Sequence, residues 1–352
     1  MSLGPLMIDV AGLELSAEDR ELLRHPLVGG VILFSRNYVS RAQISALTTE
    51  IHALRTPRLL IAVDHEGGRV QRFRTEFTEL PALIRLGQWY DRAPVDALKV
   101  AADLGWLMAS ELRAVDVDFS FAPVLDLYST HSRIINERAF HAAPETVGRL
   151  AQAYVKGMHA AGMAAVGKHF PGHGSVGADS HHELPVDRRG IVTLRNRDMV
   201  PFRLLAAAGI EGMMPAHILF PAVDSVPVGY SGRWLQDILR TELNFRGTIF
   251  SDDLCMSGAA ITASHVERAH RAFEAGCDMC LLCNDRSAVV RVLERLHVAL
   301  QPLSQVRLMR MHGRTPEPEI DWRRHPRRES ALQALHGLEP EPTLALGDDS
   351  AA

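Results

Sequence analysis

Short apolar runs alternate with amphipathic stretches along nearly the whole chain. The runs are Pro5–Val10, Val28–Phe34, Leu59–Val63, Asp118–Leu125, Met163–Gly167, Gly212–Pro215, Thr248–Phe250 and Cys277–Cys283. Most are followed by residues with helical spacing. Between Glu145 and Ala161, the residues Val147, Leu150, Ala151, Tyr154, Val155 and Met158 share one helical face, and Gly162 then acts as a stop. Ser231 reads as the cap of another helix that runs through Leu243, and Asn244 to Gly247 turns into the seventh run. Eight run-and-helix units predict the α/β class and a single (β/α)8 TIM-type barrel, with its active site at the C-terminal ends of the strands.

Polar residues fall where that fold wants them. Asp64 ends the third run and Asp126 the fourth. Lys168 and His169 end the fifth, His217 follows the sixth, Asp252 ends the seventh and Asn284 follows the eighth. A polar residue after one strand only marks the start of a loop, but a set on one rim points to a site. The barrel is expected to span residues 1–303. After Leu303 the apolar periodicity weakens, so 304–338 reads as a C-terminal extension and 339–352 as a disordered tail. Trp322 to Arg328 reads as a solvated basic surface.

Composition narrows the class. The net charge of the 352 residues is -4, which argues against a nucleic-acid partner. No apolar stretch reaches the roughly 18 residues of a membrane span, and the first residues lack a basic start followed by a long apolar run. A cytoplasmic protein without a membrane partner is expected, as a monomer. Four cysteines make no disulfide framework. Cys277, Cys280 and Cys283 have CxxCxxC spacing, but they sit in an apolar strand where 277 and 280 should face opposite sides, so buried core thiols are expected.

The stretch Met163–His182 is the richest in chemistry. An apolar strand opens into a loop with Lys168, His169, His173, Asp179, His181 and His182, and glycines at 172, 174 and 177 are expected to let it move. Asp179 and His181 are spaced to project together from an extended chain, so the carboxylate can hold one ring nitrogen and leave the other for proton transfer. Asp252 can act as a nucleophile at the barrel mouth, and Asp253 reads as a helix N-cap. Asp64, Arg69 and Arg72, with Arg138, supply directional partners for a hydroxyl-rich substrate. For Arg69 a surface ion pair is the competing reading. The clustered histidines leave a metal-dependent barrel hydrolase open, and a non-catalytic sensor is the remaining alternative.

Three motifs together resemble one known family. They are Lys168-His169-Phe170-Pro171-Gly172-His173-Gly174 with Asp179-Ser180-His181, the run Asp64 to Arg72, and Ser251-Asp252-Asp253-Leu254-Cys255-Met256. They are similar to the signature of glycoside hydrolase family 3, within it the bacterial β-N-acetylglucosaminidases of peptidoglycan recycling, over about residues 5 to 300. The resemblance implies Asp252 as nucleophile, His181 as general acid/base and Asp179 as its partner. It implies Asp64, Arg72, Arg138, Lys168 and His169 as sugar-binding residues, with no metal and no cofactor. It also implies roles in cell-wall biogenesis, cell shape, the cell cycle and cell division, and a small-molecule substrate, GlcNAc-anhydroMurNAc peptides. Near Arg138 the family usually has Gly where this chain has Asn136. The expected reaction is retaining, exo-acting removal of β-linked GlcNAc through a covalent glycosyl-enzyme.

Overall fold

The structure, a computed structural model, describes residues 2–176, 184–262, 264–299, 301–315 and 321–338. Every one of the eight apolar runs carries a strand. These are β1 (Leu6–Asp9), β2 (Val28–Leu33), β3 (Leu60–Val63), β4 (Phe119–Ser120), β5 (Ala164–Phe170), β6 (Gly212–Pro215), β7 (Thr248–Ile249) and β8 (Cys280–Leu282). They pair in parallel in the order β8-β1-β2-β3-β4-β5-β6-β7. A parallel bridge from Phe250 to Met279 joins β7 to β8, and Ser251 N donates to Met279 O at 2.8 Å. The sheet is thus a (β/α)8 barrel of the TIM type.

The apolar runs are continuous because the strands are covered twice. All residues of β1, β2 and β3 are buried, by the barrel interior on one side and by helices on the other. Inside the barrel, Phe119, Phe121 and Phe250 form a cluster with ring centroids 5.2 to 5.4 Å apart. The helix Pro144–Ala160 buries the six residues expected of it. Ser231 Oγ accepts from Trp234 N at 3.1 Å at the start of the π-helical segment Arg233–Glu242. β4 is shorter than its apolar run. Pro123 has no N–H to give the ladder, and pairing resumes only as a bridge between Val124 and Lys168.

Two expectations need correction. Cys277 and Cys280 do not face apart, because β8 begins only at Cys280 and the Cys280 thiol is close enough to shift that of Cys277. The Cys280 side chain and burial raise the Cys277 thiol, and burial raises the Cys283 thiol, both well above the usual range, which suits core thiols. The segment after Leu303 is also less bare than its composition suggests. It contains the helices Pro302–Met309 and Pro326–Leu338. Arg327 Nε meets the buried Asp103 at 2.6 Å, and Gly313 N donates to the buried Asp118 at 2.9 Å, so these residues are fastened to the barrel. Among the described residues no helix is long and apolar enough to cross a membrane.

Candidate active site

Asp64, the first residue after β3, opens a short hairpin, His65–Gly67 with Val70–Gln71. Along such a chain, residues two apart share a side. Asp64 and Glu66 therefore face the barrel mouth together, and both line one cavity of about 420 Å³. From the end of β5, Lys168 Nζ reaches Asp64 Oδ1 at 2.8 Å and Glu66 Oε1 at 2.7 Å. Arg138, beyond β4, grips Glu66 with Nε and Nη2, each at 2.8 Å. Arg72 Nη2 lies 3.4 Å from the second oxygen of Asp64.

This network sets the charges. Burial alone would raise the Asp64 carboxyl, but Lys168 and Arg72 outweigh it and hold it below the usual carboxylate range. Burial opposes the charged form of Glu66 in the same way, and Arg138 and Lys168 hold it well below that range. Burial would also lower the Lys168 ammonium, yet its two carboxylates raise it. The site thus keeps buried ions fixed, where they hold geometry rather than titrate.

The Lys168–Phe170 stretch departs from a regular ladder against β6, with a register shift between Lys168 and Phe170. Such irregularities re-aim side chains, and both Lys168 and His169 line the cavity. His169 Nδ1 lies 2.7 Å from Asp126 Oδ2, so Nδ1 carries the proton of that hydrogen bond. Asp126 is fully buried, and it also accepts from His173 N at 2.6 Å. Burial pushes the His173 imidazole down to about 4, so this ring is neutral at physiological pH.

The glycines of this loop serve close packing where they are described. A Cβ on Gly174 would come 1.9 Å from the carbonyl oxygen of Leu127, and one on Gly172 would come 2.8 Å from Asp198 Cβ. At 172 and 174 the missing side chain is what this packing requires, and Gly177 lies outside the described residues. Asp198 is a shared anchor. Ser175 Oγ donates to it at 3.2 Å, and Arg189 Nη1 meets it at 2.7 Å.

Asp252 follows β7 and lines the same cavity as the ion network. Its Oδ1 accepts from Asp253 N at 2.8 Å. Asp64, Arg72, Arg138, Lys168, His169 and Asp252 are therefore gathered in one place. Asp179 and His181 lie outside the described residues. Asn136 has φ +35°, the left-handed region that favours glycine and that Asn tolerates, so the Arg138 turn keeps its shape. Arg69 lines the same cavity and also lies 3.8 Å from Glu137, so both readings of it stand. Among the described residues no three His, Cys, Asp or Glu side chains are grouped to hold a metal ion.

Asp253 is not a helix cap. Its Oδ1 accepts from Cys255 N and from Cys283 N, each at 3.0 Å, and so ties this loop to the end of β8. Sequence reasoning also left Glu66 and Asp126 without a role. The i, i+2 spacing of Asp64 and Glu66 was a usable signal. Nothing in the sequence pairs Asp126 with His169, 43 residues on.

Comparison with known proteins agrees with this geometry. The family described as "Glycosyl hydrolase family 3 N terminal domain" matches residues 5–312. A beta-hexosaminidase of Alkalilimnicola ehrlichii is 55% identical over 346 residues, covering 97% of this chain and 98% of the relative. One of Nitrosospira multiformis is 52% identical over 339 residues, covering 96% and 97%. The crystal structure of NagZ from Neisseria gonorrhoeae in complex with N-trifluoroacetyl-D-glucosamine superposes with a TM-score of 0.91 at 43% identity, covering 96% of this chain and 98% of that one. With a barrel whose strand ends collect an acid-lined cavity, and relatives matched over nearly their full length, this chain belongs to glycoside hydrolase family 3 and is a hydrolase of the β-hexosaminidase type.

Proposed function

We propose that the enzyme is a retaining exo-β-N-acetylglucosaminidase that removes non-reducing GlcNAc from β-1,4-linked anhydromuropeptides. It would serve peptidoglycan recycling in the cytoplasm. The observation that carries the reading is one cavity lined both by Asp252 and by the Asp64–Lys168–Glu66–Arg138 network.

In this mechanism the network binds the sugar and fixes its anomeric carbon against Asp252. Lys168 spends two of its three N–H donors on Asp64 and Glu66 and keeps one for a hydroxyl. Asp64, Arg72, Arg138 and His169 complete the contacts. The Asp252 carboxylate attacks the anomeric carbon, the C–O bond to the leaving sugar breaks, and His181 gives its proton to the departing oxygen. Asp179 holds the imidazole in the required tautomer. His181 then takes a proton from water, the water oxygen displaces Asp252, and β-configured GlcNAc leaves. A histidine in this role adds no second carboxylate beside the leaving group.

The test is release of phenol from an aryl β-N-acetylglucosaminide with excess chelator present. Turnover supports the proposal and disposes of the metal-dependent and sensor alternatives. Turnover that appears only on adding zinc overturns the assignment of His181.

A further inference from the structure

Asp253 is held from three directions. Its carboxylate Oδ1 accepts from Cys255 N and Cys283 N, each at 3.0 Å. Its carbonyl oxygen accepts from His217 Nε2 at 3.0 Å. His217 is itself buried and stacked on Tyr230, with centroids 6.1 Å apart, and Tyr230 Oη donates to Ala259 O at 2.8 Å. The one remaining polar group of the Asp253 main chain, its N–H, points to Asp252 Oδ1 at 2.8 Å. The flanking residues are sewn to β8 as well. Leu254 N donates to Leu281 O at 2.9 Å, and Ser251 Oγ accepts from Leu281 N at 2.9 Å. A residue fixed by its side chain and its carbonyl therefore delivers a fixed amide to the carboxylate beside it.

We propose that Asp253 is a positioning residue for Asp252: its carboxylate anchors the loop to β8, and its backbone N–H sets the orientation in which Asp252 meets the anomeric carbon. The inference rests on the reading of Asp252 as nucleophile. It requires an acceptor at Oδ1, not a charge. Among the described residues no hydrogen bond reaches Asp253 Oδ2, so an amide nitrogen can stand there without losing a partner. Burial pushes the Asp253 carboxyl up to about 7, so the native side chain itself spends part of its time uncharged at neutral pH.

Positioning of this kind acts on the attack, not on sugar binding. The probe is an aryl β-N-acetylglucosaminide with a dinitrophenol leaving group, which needs little acid assistance, so its kcat/KM reports formation of the glycosyl-enzyme, the step of nucleophilic attack. Asp253→Ala is expected to lower kcat/KM about 100-fold, the scale of a 1 Å misplacement. The Kd of free GlcNAc by calorimetry should stay within about threefold, which separates attack from sugar binding. Asp253→Asn keeps the Oδ1 acceptor and is expected to restore kcat/KM to within about fivefold of the native enzyme. Native kcat/KM in Asp253→Ala overturns the proposal, as does an Asp253→Asn enzyme as slow as the alanine variant. A native enzyme that turns over this substrate without ever carrying sugar on Asp252 overturns the nucleophile reading instead, and the proposal falls with it.

Discussion

Glu66→Gln isolates the ion network with one atom changed. Glu66 is 1% exposed and accepts from Arg138 Nε and Nη2 and from Lys168 Nζ, at 2.8, 2.8 and 2.7 Å. An amide keeps one acceptor oxygen and turns an NH2 group toward a cation, donor against donor. It also removes the charge that offsets two buried cations. Removing one partner of a buried pair costs about 3–5 kcal/mol. At about 2 °C per kcal/mol for a large domain, the melting temperature at pH 7 should fall by about 6–10 °C. Both arms freed by the change are sugar-binding candidates, so kcat/KM on an aryl β-N-acetylglucosaminide should fall at least about 100-fold, each factor of ten being about 1.4 kcal/mol. The stability difference has a pH signature. The folded carboxyl lies well below its ordinary value, so its contribution is complete above about 4.5 and fades as pH falls further. Native and variant melting temperatures should therefore be furthest apart above pH 5 and converge below pH 4. A loss under about 1 kcal/mol with intact activity would refute the network as the organiser of the site.

Asp253 bends the other way. Its folded carboxyl is raised to about 7, so the folded state binds the proton more tightly than the unfolded chain and loses stability between about pH 4 and pH 7. Asp253→Asn should gain on the native enzyme through that window in a series of melting curves, and a constant difference would contradict the burial. Gly174→Ala drives a methyl into the Leu127 carbonyl, so it should unfold this corner or displace the loop, with a cost of several kcal/mol. A melting temperature within a degree of native would contradict that packing. His181→Ala should slow muropeptide fragments more than dinitrophenyl glycosides, which leave without a proton, and equal losses would remove the acid role.

Much of the barrel was legible because parallel strands covered on both faces are written as unbroken apolar runs, and β1, β2 and β3 are buried throughout. The helix Pro144–Ala160 was legible through Tyr154 and its neighbours. The rim that lines the cavity was legible as polar residues that end those runs. What stayed hidden depends on distant partners. Glu66 and Arg138 are 72 residues apart, and nothing local marks one as the seat of the other. Asp253 looked like a cap because an Asp before a turn usually is one, and only the approach of β8 gives it Cys283 N instead. The helix Pro326–Leu338 has little apolar face to read, since it is held by contacts such as Arg327 with Asp103. Cys277 and Cys280 meet because the strand starts three residues later than its apolar run.

The central claim is that Asp252 forms a bond to the sugar. Incubation with a slow fluorinated β-N-acetylglucosaminide, followed by mass spectrometry of the proteolysed enzyme, tests it directly. The account expects a glycosyl adduct on the peptide that contains Asp252, absent in Asp252→Ala. Steady turnover of an aryl β-N-acetylglucosaminide with no adduct on that peptide would contradict it and transfer the attack to the substrate's own acetamido oxygen.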